Sequence, residues 1–275
     1  MQQPIAVLDS GVGGLTVVKE VMRQLPCEQI LYFGDTARAP YGPRAAEEVA
    51  RFTREIVDYL IQFKPKMIVI ACNTATAVAL EDIRSRVEVP VIGVINPGAR
   101  AAFRRTKSGV VGVIGTEGTV RSGAYETALK QLSSRIETVS LACPSFVTLV
   151  EEGNFRSARA QEIVAETLSP LRAPGMDCLI LGCTHYPFLA DSISQAMGPE
   201  VVLINSAEET AREIHEVLER SNALAVEGKT SVHRFFCSGE PVRFREIAQI
   251  WLGEQIRLMP VIWQFLALAG RPGHS

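Results

Sequence analysis

Two nine-residue stretches, "VIACNTATA" (residues 69–77) and "LILGCTHYP" (residues 179–187), decide the fold that this sequence predicts. Each has a short apolar run, a small residue, a cysteine and then polar residues. A buried strand that leads directly into a helix is the βα unit of a parallel sheet. The chain therefore places a cysteine after a buried strand twice, at Cys72 and at Cys183.

The same alternation of apolar runs and helical periods extends along most of the chain. We predict strands at 5–9, 30–35, 67–71, 91–95, 110–115, 136–141, 178–182, 201–204 and 232–236. Between them, residues 47–63 carry one apolar stripe, which is typical of a helix packed on a sheet: Val49, Phe52, Ile56, Tyr59, Leu60 and Phe63. Since continuously apolar strands are covered on both faces, each sheet should be the middle of three layers.

An internal similarity indicates two related halves. "IAVLDSGVGGLTV" (5–17) resembles "VVGVIGTEGTVRS" (110–122), with Thr116 at the place of Ser10. Thr116 follows Ser10 by 106 residues, and Cys183 follows Cys72 by 111. We expect an α/β fold of two pseudo-symmetric three-layer α/β/α domains, with mostly parallel sheets facing each other across a cleft. The expected boundaries are 1–98 plus 208–255 for the first domain and 99–207 for the second.

The segments from residue 206 onwards give weaker indications of structure. Ser206 and Glu209 have the spacing of a capping box that opens a helix. The strand and helix after it are expected to return to the first domain and complete it. Residues 256–275 end in Gly, Pro and Ser without a cap, so we expect this tail to fray.

Composition excludes several classes of function. The 275 residues are 47% hydrophobic and 21% charged, as in a soluble globular protein, and the net charge of −2 provides no basic surface for nucleic acid. The sequence has no long apolar run that would span a membrane and no apolar leader at residue 1. We therefore expect a cytoplasmic protein that acts on a small molecule.

The six cysteines form no metal-binding or disulfide pattern. They lie at 27, 72, 143, 178, 183 and 237, without a CxxC pair or a Cys/His spacing that suits zinc. In a cytosolic protein they should be reduced. Buried packing is the expected role of Cys27, Cys143, Cys178 and Cys237. Cys72 and Cys183 differ because polar residues follow them at strand ends.

Ligands of open α/β sheets bind at the carboxyl ends of the strands. If the two halves face each other, Cys72 and Cys183 approach one ligand from opposite sides, as an inversion at carbon requires. One thiolate would remove a proton from one face and the other thiol would deliver a proton to the opposite face. Asp9 and His185 are candidates to assist these thiols. Carboxylate groups of a ligand would bind the hydroxyls and amides of six residues: Ser10, Asn73, Thr74, Thr116, Thr119 and Thr184.

Four motifs in this order, "LDSGVGGLTV", "YFGDTARAPYG", "IACNTATA" and "LGCTHYPFL", resemble glutamate racemases, the cofactor-independent enzymes of the aspartate/glutamate racemase family. The resemblance covers about residues 4–252. It implies interconversion of L- and D-glutamate by two cysteines, without pyridoxal phosphate or metal, which supplies D-glutamate for bacterial peptidoglycan and hence for the cell wall and cell shape. It also favours a homodimer.

The resemblance assigns roles residue by residue. Cys72 and Cys183 are the two acid/base thiols, and Asp9, His185 and Glu151 are the assisting groups. The substrate-binding positions are Ser10, Pro40, Tyr41, Gly42, Asn73, Thr74, Thr116, Thr119 and Thr184. In "FVTLVE" (146–151), Thr148 stands where the family usually has proline, which leaves the start of that helix open.

Simpler or different interpretations remain for several of these residues. Asp9 could cap the helix that follows "SGVGG", His185 could be a buried structural histidine, and Asp35 is expected to organise its loop. Aspartate racemases and related cofactor-independent racemases are the alternatives within the enzyme class, and the two cysteines argue against single-thiol decarboxylases. A thiol redox protein, in which Cys72 and Cys183 form a reversible disulfide, or a small-ligand binding protein are the alternatives of a different class. The glycines at 11–14 lack the full dinucleotide-binding pattern, so nicotinamide binding is not expected.

Overall fold

The computed structural model describes residues 3–171, 175–226, 232–253 and 261–265. Within these ranges, two parallel sheets are formed. The strands of the first sheet are β1 (Ile5–Asp9), β2 (Ile30–Gly34), β3 (Met67–Ile70), β4 (Val91–Gly93), β9 (His233–Cys237) and β10 (Val261–Phe265). Those of the second are β5 (Val110–Gly115), β6 (Glu137–Ala142), β7 (Cys178–Gly182) and β8 (Val202–Ile204). Their order is β10-β9-β2-β1-β3-β4 in the first sheet and β6-β5-β7-β8 in the second.

Helices cover both faces of each sheet. The first half contains α1 (Leu15–Gln24), α2 (Ala46–Leu60) and α3 (Asn73–Arg86), and α11 (Pro241–Leu252) joins it from the end of the chain. The second half contains α4 (Ile95–Arg105), α5 (Glu117–Ser122), α6 (Ala124–Leu132), α7 (Pro144–Glu151), α8 (Ala158–Leu168) and α9 (Ala190–Met197). The long α10 (Ser206–Arg220) packs on both α1 and α4 and so connects the two halves.

Alternate residues of the central strands enter different cores. In β1, Ala6 and Leu8 pack with α2 on one face of the sheet, whereas Ile5 and Val7 pack with α1 on the other. All five residues of β1 are buried. This two-sided burial explains the continuous apolar runs, and it confirms the predicted three-layer architecture with two parallel sheets.

The register of the strands aligns their carboxyl ends. Asp9 at the end of β1 pairs with Gly34 at the end of β2, and Gly115 of β5 pairs with Gly182 of β7. Whatever follows these strands therefore gathers at one edge of each sheet. This alignment places the residues of the two quoted stretches on the surfaces where the halves meet.

Each of the nine predicted strands coincides with a strand, although some bounds differ. The run at 91–95 ends as a strand at Gly93, because Ile95 already begins α4. The predicted helix at 47–63 ends as an α-helix at Leu60 and continues as a 3₁₀ turn, Ile61–Phe63. The capping-box prediction was wrong by one residue: α10 begins at Ser206, but Asn205 is its cap, with Oδ1 accepting a 3.0 Å hydrogen bond from the Ala207 N–H.

The end of the chain contains a strand that the sequence did not predict. β10 lies within the tail that we expected to fray and pairs in parallel with β9. The other residues of this tail, 256–260 and 266–275, lie outside the described residues. The expected domain boundary near residue 99 falls inside α4, and the division into two domains stays a prediction.

Candidate active site

The polar residues of the site lie immediately after strands. Cys72 is the N-cap of α3 and follows β3, and Cys183 follows β7. Thr116 follows β5 and caps α5, where its Oγ1 accepts a 3.2 Å hydrogen bond from the Thr119 N–H. Asp9 ends β1. The βα units thus carry these side chains to the facing edges of the two sheets.

One small cavity of about 20 Å³ collects nearly all the candidate residues of the sequence, including both cysteines. Its lining consists of Ser10, Ala39, Pro40, Tyr41, Gly42, Cys72, Asn73, Thr74, Thr116, Val147, Glu151, Cys183, Thr184 and His185. Asp9 and Thr119 do not line it, but Asp9 directly precedes Ser10 in the chain, and the Thr119 hydroxyl contacts those of Thr74 and Thr116. A larger cavity of about 380 Å³ shares five of these lining residues and therefore adjoins the small one. A further cavity near α4, β8 and α10 contains none of the candidate residues.

The environment of Cys72 favours its protonated thiol. The side chain is 6% exposed, and its Sγ accepts a 3.5 Å hydrogen bond from the Ala75 N–H. Burial and, secondarily, the nearby charge of Asp9 raise the pKa of Cys72 to about 12, against smaller lowering contributions from Ala75 and Ser10. Cys72 therefore holds a proton at neutral pH.

Cys183 lies at one end of a chain of three polar side chains. Its Sγ is 3.7 Å from His185 Nδ1, and His185 Nε2 is 3.3 Å from Glu151 Oε1. Burial by itself would lower the pKa of His185, but its hydrogen bonds to Cys183 and Glu151 and their negative charges raise that pKa to about 10. The same hydrogen bond to His185 lowers the pKa of Glu151 despite partial burial. The imidazole is therefore protonated at neutral pH and faces the sulfur.

Asp9 is fully buried beside these groups. Its Oδ1 accepts a 3.0 Å hydrogen bond from the Gly11 N–H, while its Oδ2 has no hydrogen-bond partner among the described residues. Burial raises the pKa of Asp9, and the positive charge of His185 partly offsets that rise. Asp9 lies at the start of α1: the N-cap of this helix is Gly14, without a side-chain cap bond, but the Gly14 and Gly11 N–H groups both lower the pKa of Asp9.

Three threonine hydroxyls form a cluster at the junction of the halves. Thr74 Oγ1 lies 2.9 Å from Thr116 Oγ1 and 3.3 Å from Thr119 Oγ1, and the last two oxygens are 3.0 Å apart. Since a hydroxyl can both donate and accept, this cluster can turn its protons towards a carboxylate in the cavity. The N-terminal N–H groups of α3, which begins at Asn73, lie beside it and favour an anion.

The loop that carries Pro40, Tyr41 and Gly42 is held by Asp35, as expected. The buried Asp35 carboxylate accepts hydrogen bonds from the Tyr41 hydroxyl, from Arg38 Nε at 2.6 Å and from the Ser238 hydroxyl at 2.6 Å. The Ser238 hydroxyl in turn accepts from the Ala37 N–H at 3.1 Å. Ser238 follows β9, so a residue far along the chain fixes the loop that lines the cavity at Pro40, Tyr41 and Gly42.

Glycine at position 13 permits the two halves to approach. A Cβ added there would lie 2.2 Å from Thr184 Oγ1 and 2.6 Å from His185 Nδ1. No side chain fits in this space without moving Thr184 or His185. The backbone of the first half therefore packs directly on the two residues that follow Cys183.

Sequence reasoning missed several residues that contact the site. Val147 lines the cavity one helical turn before Glu151, and that spacing was a signal that could have identified it. The Trp251 ring lies 5.9 Å from the His185 ring at 88°, and nothing in the local sequence indicated it. Thr148, the departure from the family motif, lies inside α7, which begins at Pro144, and its carbonyl accepts a 3.0 Å hydrogen bond from the Glu152 N–H.

The described residues show neither a metal-binding cluster nor a disulfide at this site. No set of three His, Cys, Asp or Glu side chains among them is arranged to hold a metal ion. Within the described ranges, no helix has both the length and the apolar character that crossing a bilayer demands. Cys72 and Cys183 are both free thiols.

Known proteins match this chain over most of its length. The family described as Asp/Glu/Hydantoin racemase matches residues 10–214. A glutamate racemase of Listeria monocytogenes is 55% identical over 252 residues, which are 92% of this chain and 95% of that protein.

Solved structures match as well. The crystal structure of glutamate racemase isoform RacE1 from Bacillus anthracis has a TM-score of 0.91 and 47% identity, over 97% of this chain and 98% of that one. Glutamate racemase from Francisella tularensis in complex with D-glutamate has a TM-score of 0.87 and 33% identity, over 96% and 97% of the two chains.

Proposed function

This chain belongs to the Asp/Glu/Hydantoin racemase family, and from that premise we propose that it is a glutamate racemase, an isomerase that inverts the α-carbon of glutamate with two thiols. The relatives that are 55% identical over 252 residues carry the name glutamate racemase. The observation that carries the mechanism is the position of Cys72 and Cys183 on one small cavity, each at the end of a strand from a different sheet.

The proposed reaction moves one proton off the α-carbon and another onto it. A thiolate on one side breaks the Cα–H bond and takes the proton, and the electron pair stays on the substrate as a carbanion delocalised into the α-carboxylate. The thiol on the other side then donates its proton to the opposite face of Cα. The product has inverted configuration and the two sulfurs have exchanged protonation states, so the reverse reaction uses the same groups in exchanged roles.

The surroundings of the two sulfurs differ. The raised pKa of Cys72 keeps that residue as the proton donor of the resting site. The protonated His185 beside Cys183 is suited to stabilise a thiolate there and to keep its position, with Glu151 holding the other ring nitrogen. Asp9 is near enough for its charge to raise the pKa of Cys72, and its carboxyl group can assist proton movement there.

Substrate binding is assigned to groups that donate hydrogen bonds into the cavity. Ser10, Asn73, Thr74, Thr116, Thr119 and Thr184 would hold the two carboxylates, and Pro40, Tyr41 and Gly42 would cover the ligand. These donors also stabilise the negative charge that develops on the α-carboxylate when the proton leaves. A relative of this chain is described in complex with D-glutamate, which supports glutamate as the substrate.

The wider role follows from the same resemblance. We propose that the protein supplies D-glutamate for peptidoglycan synthesis, and hence for cell wall biogenesis and cell shape, as a cytoplasmic homodimer. No cofactor is required in this mechanism, since the two sulfurs carry both protons.

Circular dichroism tests the activity and the substrate together. We expect the optical signal of L-glutamate to decay to that of the racemic mixture, and that of L-aspartate to stay constant. Rapid racemisation of L-aspartate alone would make the protein an aspartate racemase. Activity should persist after dialysis against a chelator and a carbonyl reagent, whereas restoration by metal or pyridoxal phosphate would contradict the mechanism.

The two cysteines are tested by substitution. Cys72→Ala and Cys183→Ala should each lower turnover in both directions by at least about 10²-fold, the usual contribution of a general acid or base. Cys237→Ala, at a buried cysteine outside the cavity, is the matched control and should keep the wild-type rate. Near-normal turnover by either site variant would refute the two-thiol assignment. The redox alternative would be favoured if oxidation readily links Cys72 to Cys183 in the ligand-free protein and activity does not need both thiols reduced.

A further inference from the structure

Asn73 has an unsatisfied donor group at the cavity. The side chain lines the cavity and is 3% exposed. Its Oδ1 accepts a 2.7 Å hydrogen bond from the Tyr125 hydroxyl, while its Nδ2 has no hydrogen-bond partner among the described residues. A buried amide nitrogen without a partner costs free energy, unless a ligand provides the acceptor.

The orientation of this amide decides whether it attracts or repels a carboxylate. With Nδ2 towards the cavity, Asn73 offers two N–H donors to an anion. A rotation by half a turn would present Oδ1 instead, and two oxygen acceptors repel each other. The group that holds Oδ1 therefore determines whether Asn73 can bind the substrate.

Tyr125 is suited to hold Oδ1 because its hydroxyl must donate. Burial raises the pKa of Tyr125, so the phenol keeps its proton. The Ser206 side chain forms a second hydrogen bond to this hydroxyl. With Ser206 as the donor to the phenol oxygen, the one phenol proton is directed to Asn73.

Close packing fixes the position of the Tyr125 ring. The ring is 2% exposed and lies between two glycines. A Cβ on Gly182 would be 3.0 Å from Tyr125 Cε2, and one on Gly98 would be 3.3 Å from Cε1. Since Gly182 directly precedes Cys183, the ring that orients Asn73 also packs on the backbone of the second thiol.

We propose that Tyr125 is a positioning residue, which holds the Asn73 amide with its N–H groups facing the cavity so that they bind a carboxylate of the substrate. Tyr125 belongs to α6 in the second half, and Asn73 begins α3 in the first. The hydrogen bond thus joins the two halves behind the site. The proposal rests on glutamate as the ligand, in keeping with the function proposed above.

Tyr125→Phe is the direct test, since it keeps the ring and removes only the hydroxyl. Loss of one oriented hydrogen bond to a charged carboxylate should raise the KM for glutamate about tenfold and leave kcat within about twofold. Calorimetry should find a similar increase in the Kd for glutamate. A variant that loses its fold would instead lose kcat and its thermal transition together.

A double-mutant cycle separates positioning from general destabilisation. If Tyr125 acts through Asn73, Tyr125→Phe should have no further effect on KM in the Asn73→Ala background. Tyr186→Phe is the matched control, because it removes another buried hydroxyl, whose 2.8 Å bond goes to the Cys143 carbonyl. Any effect of Tyr186→Phe should add to that of Asn73→Ala.

Two outcomes would overturn the proposal: a wild-type KM and Kd for Tyr125→Phe, or effects of Tyr125→Phe and Asn73→Ala that simply add. These outcomes differ from failure of the proposed function, in which the wild-type protein itself does not racemise glutamate. If the wild type binds glutamate without racemising it, the Kd values alone decide the role of Tyr125. A wild type that binds no glutamate would overturn both.

Discussion

His185 lies between two acidic groups that make its ring a cation. Cys183 Sγ and Glu151 Oε1 contact its two ring nitrogens at 3.7 and 3.3 Å. Burial opposes the charged form, yet the pKa of His185 is raised to about 10. The two contacts therefore outweigh desolvation, and removal of one of them should be measurable.

We expect Glu151→Gln to lower the pKa of His185 by at least about one unit, because an adjacent carboxylate favours the charged form of a base by that amount. If the protonated ring is needed for turnover, the alkaline limit of the pH–rate profile should move to lower pH. Nuclear magnetic resonance of the labelled imidazole across pH 6–11 gives the pKa directly.

Glu152→Gln is the control for this substitution. Glu152 is the next residue, is exposed, and accepts a 3.2 Å hydrogen bond from Asn154 Nδ2 instead of contacting the histidine. Its variant should titrate as the wild type does. An unchanged His185 titration in Glu151→Gln would contradict the role given to Glu151.

Among the residues of the site, the sequence identifies those that directly follow strands and misses those that reach the site only through tertiary packing. Cys72, Asn73, Thr116 and Cys183 were predictable, because a βα unit places them at the sheet edge whatever the rest of the chain does. Tyr125, Ser238 and Trp251 were not. Each lies in a segment that contacts the site only in the folded protein. The residue pattern around it in the sequence therefore gives no indication of that contact.

Among the paired strands of the described residues, β9 and β2 are the farthest apart in sequence, by about 200 residues. At the start of this pairing, the Ile30 N–H donates a 3.1 Å hydrogen bond to His233 Nδ1. The side chain is 2% exposed, and burial lowers the pKa of His233 to about 4. A neutral His233 therefore contributes to the attachment of β9.

The sign of the pH effect follows from this lowered pKa. Between pH 6.5 and 4 the unfolded chain protonates His233 while the folded chain does not, so stability falls as the pH falls. From pH 7.5 to 4.5 the loss should be about 2–3 kcal/mol, at 1.36 kcal/mol per pKa unit. The variant His233→Gln keeps a hydrogen-bond acceptor but cannot titrate. Between the same two pH values, its free energy of unfolding, measured with urea, should therefore fall by about 2–3 kcal/mol less than that of the wild type. Equal losses in both proteins would count against this account.

Element types were predictable because the strands are apolar on both faces and the helices on one. β10 was not predicted, and within the described residues it lies at the edge of the first sheet with β9 as its strand partner. The cap of α10 was assigned to Ser206 because the spacing to Glu209 fits a capping box, but the Asn205 side chain caps the helix through the Ala207 N–H. Boundaries depend on such local competition, which a pattern of residue types does not resolve.

On the scale of the whole molecule, a buried ion pair fastens the segment after α10 to the first sheet. Lys66 Nζ lies 2.5 Å from Glu28 Oε2 and donates a 2.6 Å hydrogen bond to the Ala223 carbonyl. Glu28 Oε1 accepts from the Ala225 N–H at 2.8 Å. These contacts join segments near residues 28, 66 and 224.

Glu28→Ala should lower the free energy of unfolding by about 3–5 kcal/mol, because it leaves the Lys66 ammonium buried without its partner. The double variant Glu28→Leu with Lys66→Met should recover most of that loss, since no charge remains buried. Urea unfolding followed by circular dichroism measures both. The control is the exposed ion pair between Lys130 and Glu126 on α6. There, Glu126→Ala should lower the free energy of unfolding by at most about 1 kcal/mol. A cost that small for Glu28→Ala would show that the pair is not stabilising.

The global architecture was predictable because the internal similarity implied two halves of like construction. The sequence did not predict how closely the halves approach. That distance depends on Gly13 against Thr184 and on the threonine cluster, which are contacts between side chains far apart in the chain.

The position of Ser238 has a consequence for protein synthesis on the ribosome. By the time residue 220 has emerged, the nascent polypeptide contains every side chain that lines the cavity, yet it lacks β9 and the serine that anchors the loop at 35–42. Since β2 acquires its outer neighbour only from this late segment, a stalled or truncated translation product would carry both thiols without a rigid pocket. The pocket can therefore become rigid only after Ser238 has been added to the growing chain.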